Sequence, residues 1–171
     1  MTKAVQDRMV EVERVRDAFH AAIYTAPNLE KAMTLAAAGC TLTNVPSGSG
    51  AADDGLRRYL AEDLLPHLPG DLSFRRISRV GDRWRVVHED MVSFTHDTEL
   101  PWLLPGVAPT HRRAEILAIS VVTIERSLIA SYRTLWDQTT LRAQLGLDVT
   151  AREIGYTRLY SRYEDGDLCS R

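Results

Sequence analysis

One stretch of the chain alternates apolar residues with residues that can exchange protons. Between positions 84 and 96, every second residue from Val86 onward is apolar, a histidine or an aspartate. In a β-strand such positions share one face of the sheet, and here that face carries Val86, His88, Asp90, Val92, Phe94 and His96. Large apolar groups beside two histidines and a carboxylate are typical of a pocket lining. A bulge within the strand would exchange the two faces midway.

The polar residues of this face have competing interpretations. His96 could shuttle a proton or orient a substrate carbonyl, and the alternative is a histidine hydrogen-bonded to the loop that follows it. His88 and Asp90 could share a proton, but a cross-strand polar contact is the favoured interpretation. We expect His88, Asp90 and Phe94 to belong to a substrate-binding surface. The alternating spacing does not match a metal-ligand motif, so no metal site is predicted.

Helices must precede this strand and flank the pocket. Apolar residues at helical spacing predict a first helix from Val5 to Ile23, and Asn28 is a suitable N-cap for a second helix that runs through Ala38. A third helix is predicted from Asp53 to Leu65, where Pro66 follows. His20, on the first helix, is assigned a structural or surface role.

Two tyrosines fall on these helices. Tyr24 and Tyr59 would flank the pocket, where a phenol could donate a hydrogen bond to a developing oxyanion. The favoured alternative for each is core packing with a satisfied hydroxyl.

The strands follow the helices and define the fold class. Thr- and Val-rich or alternating stretches predict strands over 40–45, 72–80, 84–96, 113–124 and 128–136. A short helix is predicted from Thr139 to Leu145, and a flexible loop over 46–50. Helices first and an antiparallel meander afterwards indicate an α+β fold with a curved sheet around a pocket.

A Pro-rich apolar loop over 100–110 interrupts the strands. It contains Trp102 between prolines and leucines, and it is too apolar to lie in water. It is therefore expected to cover the cavity mouth or to form a dimer contact.

The composition bounds the class of protein. The 171 residues fit one domain, 1–148, followed by a tail, 149–171. A net charge of -2 argues against a nucleic-acid partner, and no apolar run is long enough to predict a membrane span. The charged start of the chain is unlike a signal peptide, and Cys40 and Cys169 lie far apart. We therefore expect a cytoplasmic protein with reduced thiols.

Three stretches carry a resemblance to a known family. They are Val-Ser-Phe-Thr-His-Asp over 92–97, Pro-Trp-Leu-Leu-Pro-Gly over 101–106, and Trp-Asp-Gln over 136–138 leading to Gln-Leu-Gly over 144–146. With the order of elements, they resemble the SnoaL-like polyketide cyclases of the nuclear transport factor two-like superfamily, in the branch related to ester cyclases and carboxymethylenebutenolidase. The resemblance covers about residues 5–148. It implies a cone-shaped sheet wrapped around the N-terminal helices, an apolar cavity open at one end, and a homodimer.

The resemblance also implies the roles of individual residues. Asp137 stands where these cyclases carry an acid/base carboxylate, so Asp137 and His96 are the predicted catalytic pair. The alternative for Asp137 is an N-cap of the short helix that follows. Trp136 and Trp102 would be apolar walls of the substrate site.

The function that this implies is a cofactor-independent acid/base enzyme, a cyclase, isomerase or dehydratase. It would act on a hydrophobic carbonyl or polyketide-like intermediate of secondary metabolism. The alternative is a non-catalytic module that binds a small ligand. A true ester hydrolase lacks support, because the chain has no Gly-x-Ser-x-Gly elbow.

Overall fold

The computed structural model describes residues 2–147, so the predicted tail and its boundary at 148 lie outside the described residues. The helices of this part are α1 (Lys3–His20), α2 (Leu29–Leu35), α3 (Gly55–Tyr59) and α4 (Gln138–Gln144). A π-helical turn extends α1 over Ala21–Thr25, another extends α3 over Leu60–Leu64, and a 3-10 turn follows at Leu65–His67. The strands are β1 (Ala36–Val45), β2 (Gly50–Ala52), β3 (Ser73–Gly81), β4 (Arg85–Thr95), β5 (Arg113–Glu125) and β6 (Leu128–Trp136). None of these helices is both long enough and apolar enough to cross a membrane.

The six strands form one curved sheet in the order β2-β1-β6-β5-β4-β3. The predicted α+β cone is confirmed, with an open sheet whose edges are β2 and β3. The sheet is mixed, because β1 runs parallel to β6 while the other neighbours are antiparallel. No hairpin joins β1 to β6, so nothing local in the sequence determines their relative direction.

Two predicted elements have different bounds in the structure. The second helix ends at Leu35 instead of Ala38, because Ala36 already pairs with Ile129 in β6. The stretch predicted as a loop over 46–50 is a loop over 46–49, and its last residue, Gly50, begins β2 and pairs with Thr43. Strand pairing with distant residues overrides the local helix propensity of alanine in the first case.

The core lies between α1 and the concave face of the sheet. Val12, Val15 and Phe19 form the buried stripe of α1, and none of them is more than 1% exposed. In β4 the residues of the predicted face are all buried, and they alternate with residues that are less buried. The β4–β5 register runs without a shift from Arg85 to Thr95. No bulge therefore exchanges the two faces of β4, and the predicted face is confirmed.

The Pro-rich loop folds back onto the same core. Leu100, Trp102, Leu103 and Leu104 are each at most 2% exposed. The Trp102 indole N–H donates to the carbonyl of His67 at 3.0 Å. Because Trp102 is covered within its own chain, the interpretation of Trp102 as a dimer contact is wrong, and the loop acts as an internal cover.

Candidate functional site

A small cavity lies between α1 and the concave face of the sheet. Its walls are Arg16, His20, Tyr24, Phe74, Asp90, Ala118, Ser120, Tyr132, Thr134 and Trp136. The free volume at its centre is about 10 Å³, which is room for one water molecule. Typical ligand pockets have roughly 300–1,000 Å³, so a larger ligand requires wall side chains to move.

The register of three neighbouring strands explains why the cavity is there. Asp90 of β4 lies opposite Ala118 of β5, which lies opposite Trp136 of β6. All three point to the buried face, and the methyl group of Ala118 leaves a gap between two larger neighbours. A larger residue at position 118 would fill this gap.

Arg16 brings a buried cation into the cavity wall. It is 3% exposed, its Nη2 donates to the Ser120 hydroxyl at 3.0 Å, and the same atom lies 3.5 Å from a carboxylate oxygen of Asp90. Its Nη1 lies 3.3 Å from Asp17 on the solvent side. The guanidinium therefore holds Asp90 at a fixed place beside the cavity.

Asp90 is the carboxylate of this cavity. It is 6% exposed, and burial raises its pKa above the ordinary value of 3.8, although Arg16 and Arg76 act in the opposite direction. A buried carboxylate with a raised pKa is suited to accept and return a proton near neutral pH.

His20 and Tyr132 form a second polar pair in the wall. His20 Nδ1 and the Tyr132 hydroxyl are hydrogen-bonded at 2.9 Å. Burial and the nearby Arg16 lower the pKa of His20 well below 6.5, so this imidazole is neutral at pH 7. Burial also raises the pKa of Tyr132, which keeps its phenol protonated. Both members of the pair are therefore uncharged at pH 7.

Two buried hydroxyls in the cavity wall, those of Tyr24 and Thr134, lie close to each other. Within residues 2–147 neither makes a full hydrogen bond to another protein group, although a hydrogen-bonding interaction with Thr134 acts to lower the pKa of Tyr24. Burial has the larger effect and raises the pKa of Tyr24 well above 10, so its proton stays available for donation. Buried polar groups are normally fully paired, and two weakly paired donors beside a cavity therefore indicate a place for a ligand oxygen or a water molecule.

The structure brings three of the predicted site residues to the cavity and leaves others in the core. Asp90, Tyr24 and Trp136 line the cavity. His88, Phe94, Tyr59 and Trp102 are buried and do not line it. The Tyr59 hydroxyl accepts from Asn44 at 3.0 Å, as expected for core packing. Trp102 packs behind the wall, with its ring centroid 5.5 Å from that of Trp136.

His88 lies on the same face as Asp90 but deeper in the interior. It is 1% exposed, and its Nε2 has no hydrogen-bond partner among the described residues. Burial and then Arg16 lower its pKa to about 4, so it is neutral at pH 7. A buried neutral imidazole of this kind packs as part of the core.

Asp137 has the role of a helix cap. Its carboxylate accepts from the backbone N–H of Thr140 at 3.0 Å, at the start of α4. Hydrogen bonds from the Thr140 hydroxyl and backbone lower its pKa below 3.8. Asp137 is absent from the cavity wall, so the expected carboxylate at the cavity floor is not Asp137. The difference arises because the strand ends at Trp136, and the next side chain turns to the helix.

His96 anchors the loop between β4 and β5. The Thr110 backbone N–H donates to its Nδ1 at 3.3 Å, and the Thr110 hydroxyl lies 3.1 Å from the same nitrogen. Burial lowers its pKa. His96 and Asp137 are therefore not brought together in the described cavity, and the loop-anchoring alternative matches what His96 does.

Sequence reasoning missed several polar wall residues. They are Arg16, His20, Ser120, Tyr132 and Thr134. The signal was present, because Arg16 and His20 are four residues apart on the apolar stripe of α1. The other three occupy the buried face of β5 and β6, where buried residues alternate with less buried ones. Among residues 2–147, no three His, Cys, Asp or Glu side chains are grouped so that they could hold a metal ion.

Comparison with known proteins identifies the fold. No protein-family model matches the chain, and no curated protein matches it. Among solved structures, a candidate SnoaL-like polyketide cyclase from Jannaschia sp. CCS1 has a TM-score of 0.64 at 11% identity, covering 89% of this chain and 98% of its own. AclR, a candidate hydroxylase from Streptomyces galilaeus, has a TM-score of 0.62 at 16% identity, with coverages of 91% and 96%.

A third structure extends the set of similar folds. IdmH, a candidate polyketide cyclase from Streptomyces antibioticus, has a TM-score of 0.58 at 18% identity and covers 79% of this chain and 98% of its own. The chain therefore shares the fold of these structures, which is the cone-shaped fold that the sequence resemblance implied. At these identities the likeness concerns the fold alone.

Proposed function

We propose that this protein is a cofactor-independent acid/base enzyme in which Asp90, rather than Asp137, moves the proton. The observation that carries the proposal is the position of Asp90, which is 6% exposed, lies 3.5 Å from Arg16 and faces the cavity. Among residues 2–147, Asp90 supplies the one carboxylate of the cavity wall. The substrate is a hydrophobic carbonyl compound, of the polyketide-like kind found in secondary metabolism.

The first chemical step is removal of a proton next to the substrate carbonyl. The Asp90 carboxylate takes the proton, and the C–H electron pair becomes the C=C bond of an enolate whose oxygen carries the negative charge. Return of the proton to another carbon gives isomerisation. Expulsion of a β-hydroxyl that takes up the proton gives loss of water. Attack of the enolate carbon on a second carbonyl gives cyclisation: the π bond of that carbonyl breaks, and its oxygen takes up the proton from Asp90 to become a hydroxyl.

The hydroxyls of Tyr24 and Thr134 would stabilise the enolate. Within residues 2–147 they interact at most weakly, with each other, so an oxygen in the cavity could take both as donors without breaking a full hydrogen bond. Donors that are already in place when charge develops contribute about 3–4 kcal/mol each in comparable sites. Arg16 would stabilise the ionised form of Asp90 between turnovers, at 3.5 Å.

Access to the cavity requires the rim to open. Phe74 is half-buried on β3, which is an edge strand of the sheet that residues 2–147 form. Its ring lies 4.5 Å from that of His20 and 5.2 Å from that of Tyr24 between centroids. Rotation of this ring towards solvent would connect the cavity to the outside without unfolding the sheet.

Deuterium exchange into a ketone tests the proposal without knowledge of the natural substrate. A cyclic aromatic ketone such as tetralone is incubated with the protein in D₂O, and loss of the α-proton signal is followed by NMR. The wild type should accelerate exchange, and Asp90→Asn should reduce the acceleration by about a hundredfold or more. Asp137→Asn is the matched control and should exchange like the wild type. Loss of exchange in Asp137→Asn with normal exchange in Asp90→Asn would refute the assignment.

A non-catalytic binding module remains the second candidate, and the Arg16–Asp90 ion pair is the observation that favours it. In that case the pair only shapes a polar binding site. A ketone would then bind without any exchange of its α-protons, which the same experiment detects.

The predicted homodimer is also a proposal, and the outer face of the sheet supports it. Apolar side chains cross this face in adjacent strands, namely Val87, Met91, Leu117, Ile119, Val121 and Leu135. Glu115 and Arg113 border them on β5, so two copies related by a twofold axis could place opposite charges together. Ile119→Arg should convert a dimer into a monomer in light scattering after size-exclusion chromatography. A monomeric wild type would exclude the dimer.

A further inference from the structure

Arg76 lies on the same strand as Phe74, at the rim where we propose that the cavity opens. It lies on β3, the edge strand, two positions after Phe74, and it pairs directly with Asp90 on β4. Phe74 pairs with Val92, so Phe74 and Arg76 both belong to the concave face. Arg75, between them, pairs with Met91 and belongs to the outer face. Arg76 is exposed, whereas its opposite neighbour Asp90 is buried.

The other charges around the mouth are already paired. Arg79 forms an ion pair with Glu13 at 2.9 Å. Arg16 is engaged by Asp17 at 3.3 Å and by Asp90 at 3.5 Å. Opposite charges directly across two strands commonly pair, yet the carboxylate of Asp90 turns inward to Arg16.

Arg76 itself makes neither an ion pair nor a hydrogen bond with any residue in 2–147. Its charge nevertheless acts on the cavity. After burial, it is one of the cations that lower the pKa of His20, and it opposes the rise in the pKa of Asp90. Within the described part of the chain, one guanidinium without an ion-pair partner therefore lies next to a half-buried aromatic ring.

We propose that Arg76 binds a carboxylate of the substrate, so that the substrate is a hydrophobic carbonyl compound that also carries an acid group. A guanidinium offers two parallel N–H donors that match the two oxygens of a carboxylate. The apolar body of such a substrate would replace the Phe74 ring at the rim, with its carbonyl towards Tyr24 and Thr134 and its carboxylate outside, on Arg76. This inference rests on the proposed function, because it takes the cavity as the substrate site.

The anionic group would not meet strong repulsion from the acidic residues nearby. Glu13 and Asp17 are held by Arg79 and Arg16, respectively. Asp90 lies one strand further in and is compensated by Arg16. Neighbouring strands are about 4.8 Å apart, so a group on the exposed end of Arg76 is separated from Asp90 by at least one strand spacing.

The test compares two probes that differ in charge and little in shape, benzoate and benzamide. Each is titrated into the protein at low ionic strength, and binding is followed by shifts in the ¹H–¹⁵N NMR spectrum. The wild type should bind benzoate about fivefold more tightly than benzamide, the size expected for one partly exposed charge-assisted contact. Arg76→Gln should remove this preference. Arg75→Gln, which alters the neighbouring cation on the other face, should keep it.

Further variants locate the site and separate the two proposals. Ala118→Leu fills the gap in the wall and should weaken both probes. Asp90→Asn should keep or strengthen the preference for benzoate. A wild type that prefers benzoate but accelerates no ketone exchange would refute the catalytic role and leave the anion site standing. No benzoate binding at millimolar concentration, an unchanged preference in Arg76→Gln, or an equal loss in Arg75→Gln would overturn the assignment of Arg76.

Discussion

Replacing Arg16 with methionine removes the cation that compensates Asp90 in the cavity wall. Methionine keeps most of the apolar stem that packs against the Tyr132 ring, over which the guanidinium lies at 5.9 Å. It leaves the Asp90 carboxylate, 6% exposed, without its partner, and it leaves the Ser120 hydroxyl without its donor. The variant therefore changes charge compensation more than it changes packing.

The expected loss of unfolding free energy is about 3 kcal/mol at pH 8. Removing one partner of a buried ion pair costs about 3–5 kcal/mol. We take the lower end because the two groups are 3.5 Å apart and Asp90 keeps slight contact with solvent. The double variant Arg16→Met/Asp90→Leu, in which neither charge remains, should lose much less than the single variant, because replacing both partners by apolar residues is often close to neutral.

The loss should depend on pH in a defined direction. Without Arg16, the folded-state pKa of Asp90 rises further, because Arg16 is the principal group that opposes the effect of burial. A raised folded-state pKa stabilises the fold only while the group is protonated, and this stability is lost as the pH rises through that pKa. Most of the deficit of Arg16→Met should therefore appear at pH 8 and disappear near pH 4.

Urea unfolding of the wild type, both single variants and the double variant at pH 8 and pH 4 measures these quantities. Fluorescence and circular dichroism should give the same transition, which establishes that two-state analysis applies. If Arg16→Met lost the same unfolding free energy at both pH values, the loss would reflect packing alone, and the role of charge compensation would be refuted. A double variant that loses the sum of the two single losses would show that Arg16 and Asp90 are not coupled.

Three further experiments, two with variants and one titration, test the surroundings of the cavity. Asn44→Leu should lower the unfolding free energy by about 2–4 kcal/mol in urea, because Asn44 is fully buried and binds Trp136 Nε1 at 2.9 Å and the Tyr59 hydroxyl at 3.0 Å; a loss under 1 kcal/mol would contradict this. His88 should titrate by NMR with a pKa of about 4. Because the unfolded chain takes up this proton nearer pH 6.5, the free energy of unfolding should fall as the pH drops from 6.5 to about 4. A midpoint near 6.5 would contradict the burial of His88. Asp137→Ala should lower the unfolding free energy by about 1 kcal/mol at pH 7, because the cap of α4 is lost. The loss should become smaller as the pH falls through the lowered pKa of Asp137, and binding of benzoate and benzamide should not change. Weakened binding of these probes would indicate that Asp137 belongs to the ligand site.

Which residues of β4 are buried was predictable, because side chains in a single strand alternate strictly between the two faces of the sheet. Val86, His88 and Asp90 are buried as the alternation required, since β4 pairs with β5 without a register shift. The helices were predictable for the corresponding reason, because the stripe of α1 has the period of an α-helix. The parallel pairing of β1 with β6 was not predictable, since residues 46–127 separate the two strands and no turn joins them directly.

The cavity was harder to predict than the strands that form it. Asp90 was placed on the correct face, but its partner Arg16 comes from α1 and no sequence spacing relates the two. Ala118 creates the gap because it lies between Asp90 and Trp136 across three strands, which is a property of the register. Asp137 is the opposite case. The family resemblance implied an acid/base carboxylate at this position, whereas the side chain accepts a hydrogen bond from the start of α4 and caps that helix.

The most direct test of the central claim is a carboxyl ¹³C NMR titration that follows Asp90 and Asp137 in the same sample. Asp90 should titrate above the ordinary aspartate pKa of 3.8, because it is buried beside the cavity. Asp137 should titrate below this value, because Thr140 donates hydrogen bonds to its carboxylate. An Asp90 that titrates at or below 3.8, or an Asp137 with the higher pKa of the two, would contradict the assignment of Asp90 as the acid/base.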